Sequence, residues 1–205
     1  PGSLALLEGA TTSTPTLVPD VAGTYRVQLI VEDPIFSSNP AVVTIEAVEA
    51  GPLCVLLSEY VEGSSSNKAL ELYNCSDQDA DLGRVGVCLA SNDGPDCDTT
   101  VTLSGTLPAG EVHGLCNSGF DTSLIDAGDC DTTSGVTNFN GDDRLLVFED
   151  VDGDGDFGAA DLILDAFGQT SARPSSEIWS DMTLRRCELT PYDGATSFDL
   201  SAYDA

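Results

Sequence analysis

Helical periodicity is nearly missing from this chain, and a period of two recurs in its place. Tyr25, Val27, Leu29 and Val31 fall on one face of the alternating run from Gly23 to Asp33. Ala69-Leu70-Glu71-Leu72-Tyr73 alternates in the same way. Arg144-Leu145-Leu146-Val147-Phe148-Glu149 and Leu162-Ile163-Leu164 read as further strands. Clusters of Gly, Pro, Asp, Asn and Ser separate the runs, as turns separate strands. Strands with one apolar face must bury that face against a second layer. The pattern therefore predicts an all-β chain of stacked sheets, a β-sandwich architecture.

With 205 residues, 41% of them hydrophobic, the chain can build a core in one or two domains. A seam is expected at Glu49-Ala50-Gly51-Pro52, where a strand ends at a Gly-Pro break. This gives an expected first domain at 1–50 and a second at 51–205. Pro1-Gly2 reads as an interior cut. Thirty-five acidic residues stand against 7 basic ones, and the net charge is −28. Such a charge disfavours nucleic-acid backbones and anionic membranes as partners. It favours cations, a salty medium or a partner with a basic surface. No apolar run approaches the length of a membrane span.

Residues 150–161 read D-V-D-G-D-G-D-F-G-A-A-D. Oxygen ligands recur at loop positions 1, 3, 5, 7 and 12: Asp150, Asp152, Asp154, the Asp156 carbonyl and Asp161. Gly155 stands at position 6, where such a loop bends sharply. Calcium takes six to eight oxygens, and carboxylates this crowded repel one another without a cation. The closing residue is Asp161 in place of the usual bidentate Glu, which shortens the last ligand. Strands flank the loop, so it is expected at a hairpin tip, with calcium in a structural role.

Seven cysteines stand at 54, 75, 88, 97, 116, 130 and 187. They show no C-x-x-C or histidine spacing, which argues against zinc. A disulfide framework made outside the cytoplasm fits better. Cys88–Cys97 and Cys116–Cys130 are plausible local pairs, with the connectivity otherwise open. An odd count leaves at least one thiol free or bonded to another chain.

Other candidates compete with plainer readings. His113 lies three residues before Cys116, but strand residues three apart face opposite sides, so an exposed strand histidine is expected. Asp93, Asp96 and Asp98, and then Asp126, Asp129 and Asp131, offer a second calcium site or solvated loops. Asn140-Gly141-Asp142-Asp143 reads as turn chemistry. Asn74-Cys75-Ser76 has the pattern of a glycan acceptor. Arg185-Arg186 is a small basic spot, one arginine of which could pair with a core-edge carboxylate. Trp179 is the sole tryptophan, a sugar platform or a core residue.

Pro15-Thr16-Leu17-Val18-Pro19-Asp20-Val21-Ala22-Gly23-Thr24-Tyr25 resembles the C-terminal half of a PKD-like, immunoglobulin-type domain, over about residues 1–49. That half supplies roughly four strands where such a sandwich needs about seven. Apolar faces and a sheet edge are therefore expected to stand open. From Ser58-Glu59-Tyr60-Val61-Glu62-Gly63 to Ala69-Leu70-Glu71-Leu72-Tyr73-Asn74, the chain resembles the opening of a bacterial lamin-tail domain, of the type attached to secreted nucleases. Leu103-Ser104-Gly105-Thr106-Leu107-Pro108-Ala109-Gly110, Leu115-Cys116-Asn117-Ser118-Gly119, Asn138-Phe139-Asn140-Gly141-Asp142-Asp143, Asp165-Ala166-Phe167-Gly168-Gln169 and Thr183-Leu184-Arg185-Arg186 follow in order. The resemblance covers about residues 53–190 and implies an immunoglobulin-like β-sandwich, preceded by the partial immunoglobulin-like domain.

No catalytic constellation accompanies these features. The expected function is a non-catalytic, extracellular or cell-surface structural or adhesive module. It would be stabilised by calcium and disulfides, and would engage further copies of itself, in an assembly or filament, or other extracellular proteins. Two alternatives come from other classes. One is the accessory region of an extracellular nuclease, whose chemistry would need His, Asn and acidic residues around a metal. The other is calcium-dependent carbohydrate binding, resting on the acidic loops and Trp179.

Overall fold

Alternation becomes paired strands almost everywhere it was read. In a computed structural model, the residues described are 2–48, 51–92, 96–124, 128–168, 179–191, 194 and 199–205. Pro1, Glu49 and Ala50 of the seam, Asp93, Asp126, Gln169 and Ser176 to Ile178 lie outside them. The chain divides into two compact units, residues 1–52 and 53–205. Among the described residues no helix is long and apolar enough to cross a membrane.

The first unit contains β1 (Leu7–Glu8), β2 (Thr16–Leu17), β3 (Gly23–Leu29) and β4 (Ala41–Ala47). β1 pairs with β2, and β3 with β4, all antiparallel. In the β3–β4 register Tyr25 faces Ile45, Val27 faces Val43 and Leu29 faces Ala41. Residues directly opposite share a face, so one side of the ribbon is apolar. The alternating run continues to Asp33, yet β3 stops at Leu29. The Asp33 carboxylate accepts from the Ile35 and Phe36 amides at 2.8 and 2.7 Å, and this folds the chain into a turn. Among the described residues of this unit none is buried; Val43 is 54% exposed and Leu29 61%. A two-stranded ribbon in that state is at best marginally stable in water.

The second unit contains β5 (Val55–Glu62), β6 (Lys68–Asn74), β7 (Ala80–Asp81), β8 (Val85–Ala90), β9 (Thr99–Thr102), β10 (Thr106–Leu107), β11 (Val112–Cys116), β12 (Thr132–Thr133), β13 (Arg144–Glu149), β14 (Leu162–Phe167), β15 (Thr183–Arg186) and β16 (Tyr203–Asp204). Six strands form one sheet in the order β12-β11-β6-β5-β15-β16. Four form another, β14-β13-β8-β9, and β10 pairs with β7. The β11–β12 pair is parallel and the rest are antiparallel.

One apolar cluster joins the two larger sheets. Leu57, Tyr60, Leu70, Leu72, Leu115 and Leu184 come from the six-stranded sheet; Val85, Val87, Leu89, Leu145 and Val147 come from the four-stranded one. A bulge between Leu57 and Glu59 shifts the register of β5, so that Leu57 and Tyr60 both turn inward. Tyr60 stacks on Phe167, with ring centroids 4.3 Å apart, and Trp179 meets Phe167 edge-on at 5.8 Å. Each such fully buried side chain stabilises the fold by about 1.5–3 kcal/mol before entropy is counted.

Three disulfides reinforce this unit: Cys54–Cys75, Cys88–Cys97 and Cys116–Cys130. Cys187 is an exposed free thiol. Partial desolvation by neighbouring atoms and the nearby Asp204 carboxylate raise its pKa above the ordinary thiol value.

Candidate metal centre

Residues 150–161 connect β13 to β14, and strands stand on both sides of them. The loop starts where the Asp150 amide donates to the Arg84 carbonyl at 2.9 Å. Its aspartates then organise the backbone. The Asp150 carboxylate accepts from the Gly153 and Gly155 amides at 2.8 and 3.0 Å. Asp152 accepts from the Asp154 amide at 3.3 Å, and Asp154 from the Asp156 amide at 2.9 Å. Asx turns of this kind bend the chain every second residue. Gly155 has φ +83°, a left-handed conformation that suits glycine at the sixth position of the loop.

This coiling gathers Asp150, Asp152 and Asp154, whose ligand oxygens lie within 4.8 Å of one another. Oxygens on opposite sides of a calcium ion stand about 4.6–5.2 Å apart, given Ca–O distances of 2.3–2.6 Å. The triad thus fits a single hard cation by spacing and by chemistry. Asp150 is half-buried, and Asp152 and Asp154 are exposed.

Asp161 stands outside the triad. Its two oxygens accept from the Val151 amide at 2.9 Å and the Gly158 amide at 2.7 Å, so it ties the end of the loop to its beginning. A carboxylate oxygen keeps a second lone pair when it accepts one hydrogen bond, which leaves Asp161 able to serve a cation as well. Asp156, read for its carbonyl, donates its amide to Asp154.

The loop also touches the sheet beside it. Phe157 meets Phe148 of β13 edge-on, with centroids 5.3 Å apart. The Thr102 hydroxyl of β9 donates to the Gly155 carbonyl at 3.5 Å. Position-by-position ligand reading gave no sign of either contact. The apolar Phe157 inside an acidic loop was the available signal.

The remaining candidates are placed as follows. His113 is half-buried, a correction to the exposed strand position expected for it. The reason is its neighbour across β12, since its Nε2 lies 2.9 Å from the Thr132 hydroxyl. Burial lowers its pKa, against the opposing charge of Asp131, 3.7 Å away. Cys116 is bonded to Cys130. Among the described residues no second acidic group gathers as the 150–154 triad does. Asp98 accepts from the Ser91 amide and Asp131 from the Gly114 amide, at 2.6 and 2.9 Å.

Asp143 is buried and accepts from the Asn92 and Asn140 amides at 2.8 and 2.6 Å, turn chemistry set inside the protein. Asn74 is wholly buried, and its side-chain amide donates to the Gln78 and Leu107 carbonyls, which removes it as a glycan acceptor. Trp179 is wholly buried, and its ring is withdrawn from any sugar. Arg185 pairs with Glu59 at 3.0 Å, and Arg186 with Asp165 at 2.8 Å. No protein-family model matches the chain, and no curated protein matches it either.

Proposed function

We propose that this chain is a non-catalytic structural or adhesive module of the cell exterior, in which Asp150, Asp152, Asp154, Asp156 and Asp161 hold a calcium ion. The observation that carries the reading is the carboxylate triad on a strand-to-strand insertion, within a unit reinforced by three disulfides. Bound calcium would cancel the repulsion among these oxygens and add its binding free energy to folding. The disulfides support an oxidising compartment. The two sheets over one core support an immunoglobulin-like sandwich of lamin-tail type, and the bare β3–β4 ribbon supports a partial domain before it.

What the reactive groups already do favours a scaffold over an enzyme. Cys116 is bonded to Cys130, His113 contacts Thr132 and Trp179 fills the core. The open apolar face of β3–β4 favours self-association or contact with another extracellular protein.

Calorimetric titration with calcium chloride, beside thermal melting with and without chelator, tests the metal. One ion per chain and a chelator-sensitive melt are expected, and both should vanish in D152N/D154N. Sedimentation velocity across a concentration series tests association. Degradation of DNA or hydrolysis of another polymer by the purified chain would overturn the non-catalytic reading.

A further inference from the structure

We infer that Phe157, docked on Phe148 in the cluster that includes the Cys88–Cys97 disulfide, is the positioning residue that sets the calcium affinity of the 150–161 loop. The inference rests on the calcium reading above.

The outward faces of β8 and β13 carry a second, smaller apolar cluster. Cys88, Leu146 and Phe148 are buried there, with Cys97, Phe157 and Ala166 packed against them. This cluster lies on the side of the four-stranded sheet away from the main core, because Val87 and Val147 alternate with Cys88 and Phe148. Phe148 sits directly opposite Gly86. A Cβ on that glycine would fall 2.1 Å from the Phe148 ring, so the missing side chain is what lets the ring lie across the strand. Phe157 then closes over this platform, at 60° to Phe148.

The position of Phe157 in the loop gives the contact its consequence. It follows the last member of the Asp150, Asp152 and Asp154 triad and precedes Asp161, which closes the loop. Docking its ring fixes the backbone between the two ligand groups. Thr102 holds the same stretch from β9 through the Gly155 carbonyl. A flexible acidic loop must pay conformational entropy when it wraps an ion. A loop already anchored at its midpoint has less to lose and binds more tightly. Linkage makes the coupling reciprocal: bound calcium holds Phe157 down on Phe148.

Calorimetric titration of the full chain with calcium chloride tests this. F157A should bind roughly tenfold more weakly, within the usual range of site-to-site coupling. F157L, which keeps an apolar contact, should recover most of the loss. C88A/C97A should weaken binding in the same direction, whereas C116A/C130A, in the other sheet, should leave it unchanged. Phe157 is only partly buried, so F157A remains informative if a cysteine variant fails to fold. Wild-type affinity in F157A overturns the inference and leaves the calcium reading standing. Equal weakening by both cysteine variants overturns it as well, by exposing general destabilisation. A wild-type chain that binds no calcium overturns the calcium reading, and the inference with it.

Discussion

Arg186 and Asp165 meet across the two sheets of the second unit, Nη2 to Oδ2 at 2.8 Å, with the carboxylate wholly buried. Asp165 also accepts from the Leu57 amide at 2.8 Å, next to the β5 bulge, and Arg186 approaches the Tyr203 hydroxyl at 3.3 Å. Burial pushes the Asp165 carboxyl up, and Arg186 and the Leu57 amide pull it back only in part. Removing one partner leaves the other charge uncompensated. R186M should therefore lose about 3–5 kcal/mol in guanidinium denaturation, and D165L/R186M should recover much of it. A single variant as stable as wild type would show that the pair carries no such cost.

Gly86 is a packing position with no room for a side chain. Its added Cβ would meet the wholly buried Phe148 ring at 2.1 Å, and that ring has nowhere to go. G86A should cost about 1–3 kcal/mol, the usual range for overpacking. G86A/F148L should restore part of the loss in the same thermal melts.

His113 predicts an acid-side slope. Burial disfavours its imidazolium, so its pKa in the fold lies below the ordinary 6.5. Between those two values the unfolded chain binds more protons, and stability falls as pH drops from 6.5. Above 6.5 the group contributes no slope. Urea midpoints for wild type and H113Q should run parallel above that pH and converge below it. Parallel curves down to the carboxylate range would contradict the assignment.

The Cys54–Cys75 bond spans a sequence separation of 21 residues and joins the entry of β5 to the exit of β6. In the chain-entropy account a loop of that size is worth about 3 kcal/mol. C54A/C75A should lose an amount of that order in urea denaturation with a somewhat steeper slope, because the unfolded chain without the crosslink is more open and exposes more surface.

Much of this fold is written locally. The boundaries of β13 follow from Arg144 to Glu149 alone, and the acidic loop falls at the strand-to-strand junction that its flanks imply. Cys88–Cys97 and Cys116–Cys130 are legible because short segments leave little choice. Cys54–Cys75 is not, since its proximity comes from the pairing of β5 with β6. Asp165 reads as one more acidic residue until the two sheets close and bring Arg186 opposite. Ser58 gives no sign that the chain bulges there, and that bulge is what turns Tyr60 into the core. At the candidate centre, the ligand spacing of Asp150, Asp152 and Asp154 is sequence-local and readable. The Phe157 anchor depends on the outer face of a sheet whose register the sequence does not display.

Each covalent crosslink brackets a brief stretch of chain, with separations of 9, 14 and 21 residues, and all of them lie before residue 131. The strands that follow, β13 through β16, are held by side-chain and backbone contacts alone. Under tension applied at the two ends, rupture would begin outside the span from Cys54 to Cys130, in the ribbons of the first unit and in β13 through β16, while the crosslinked part resisted longer.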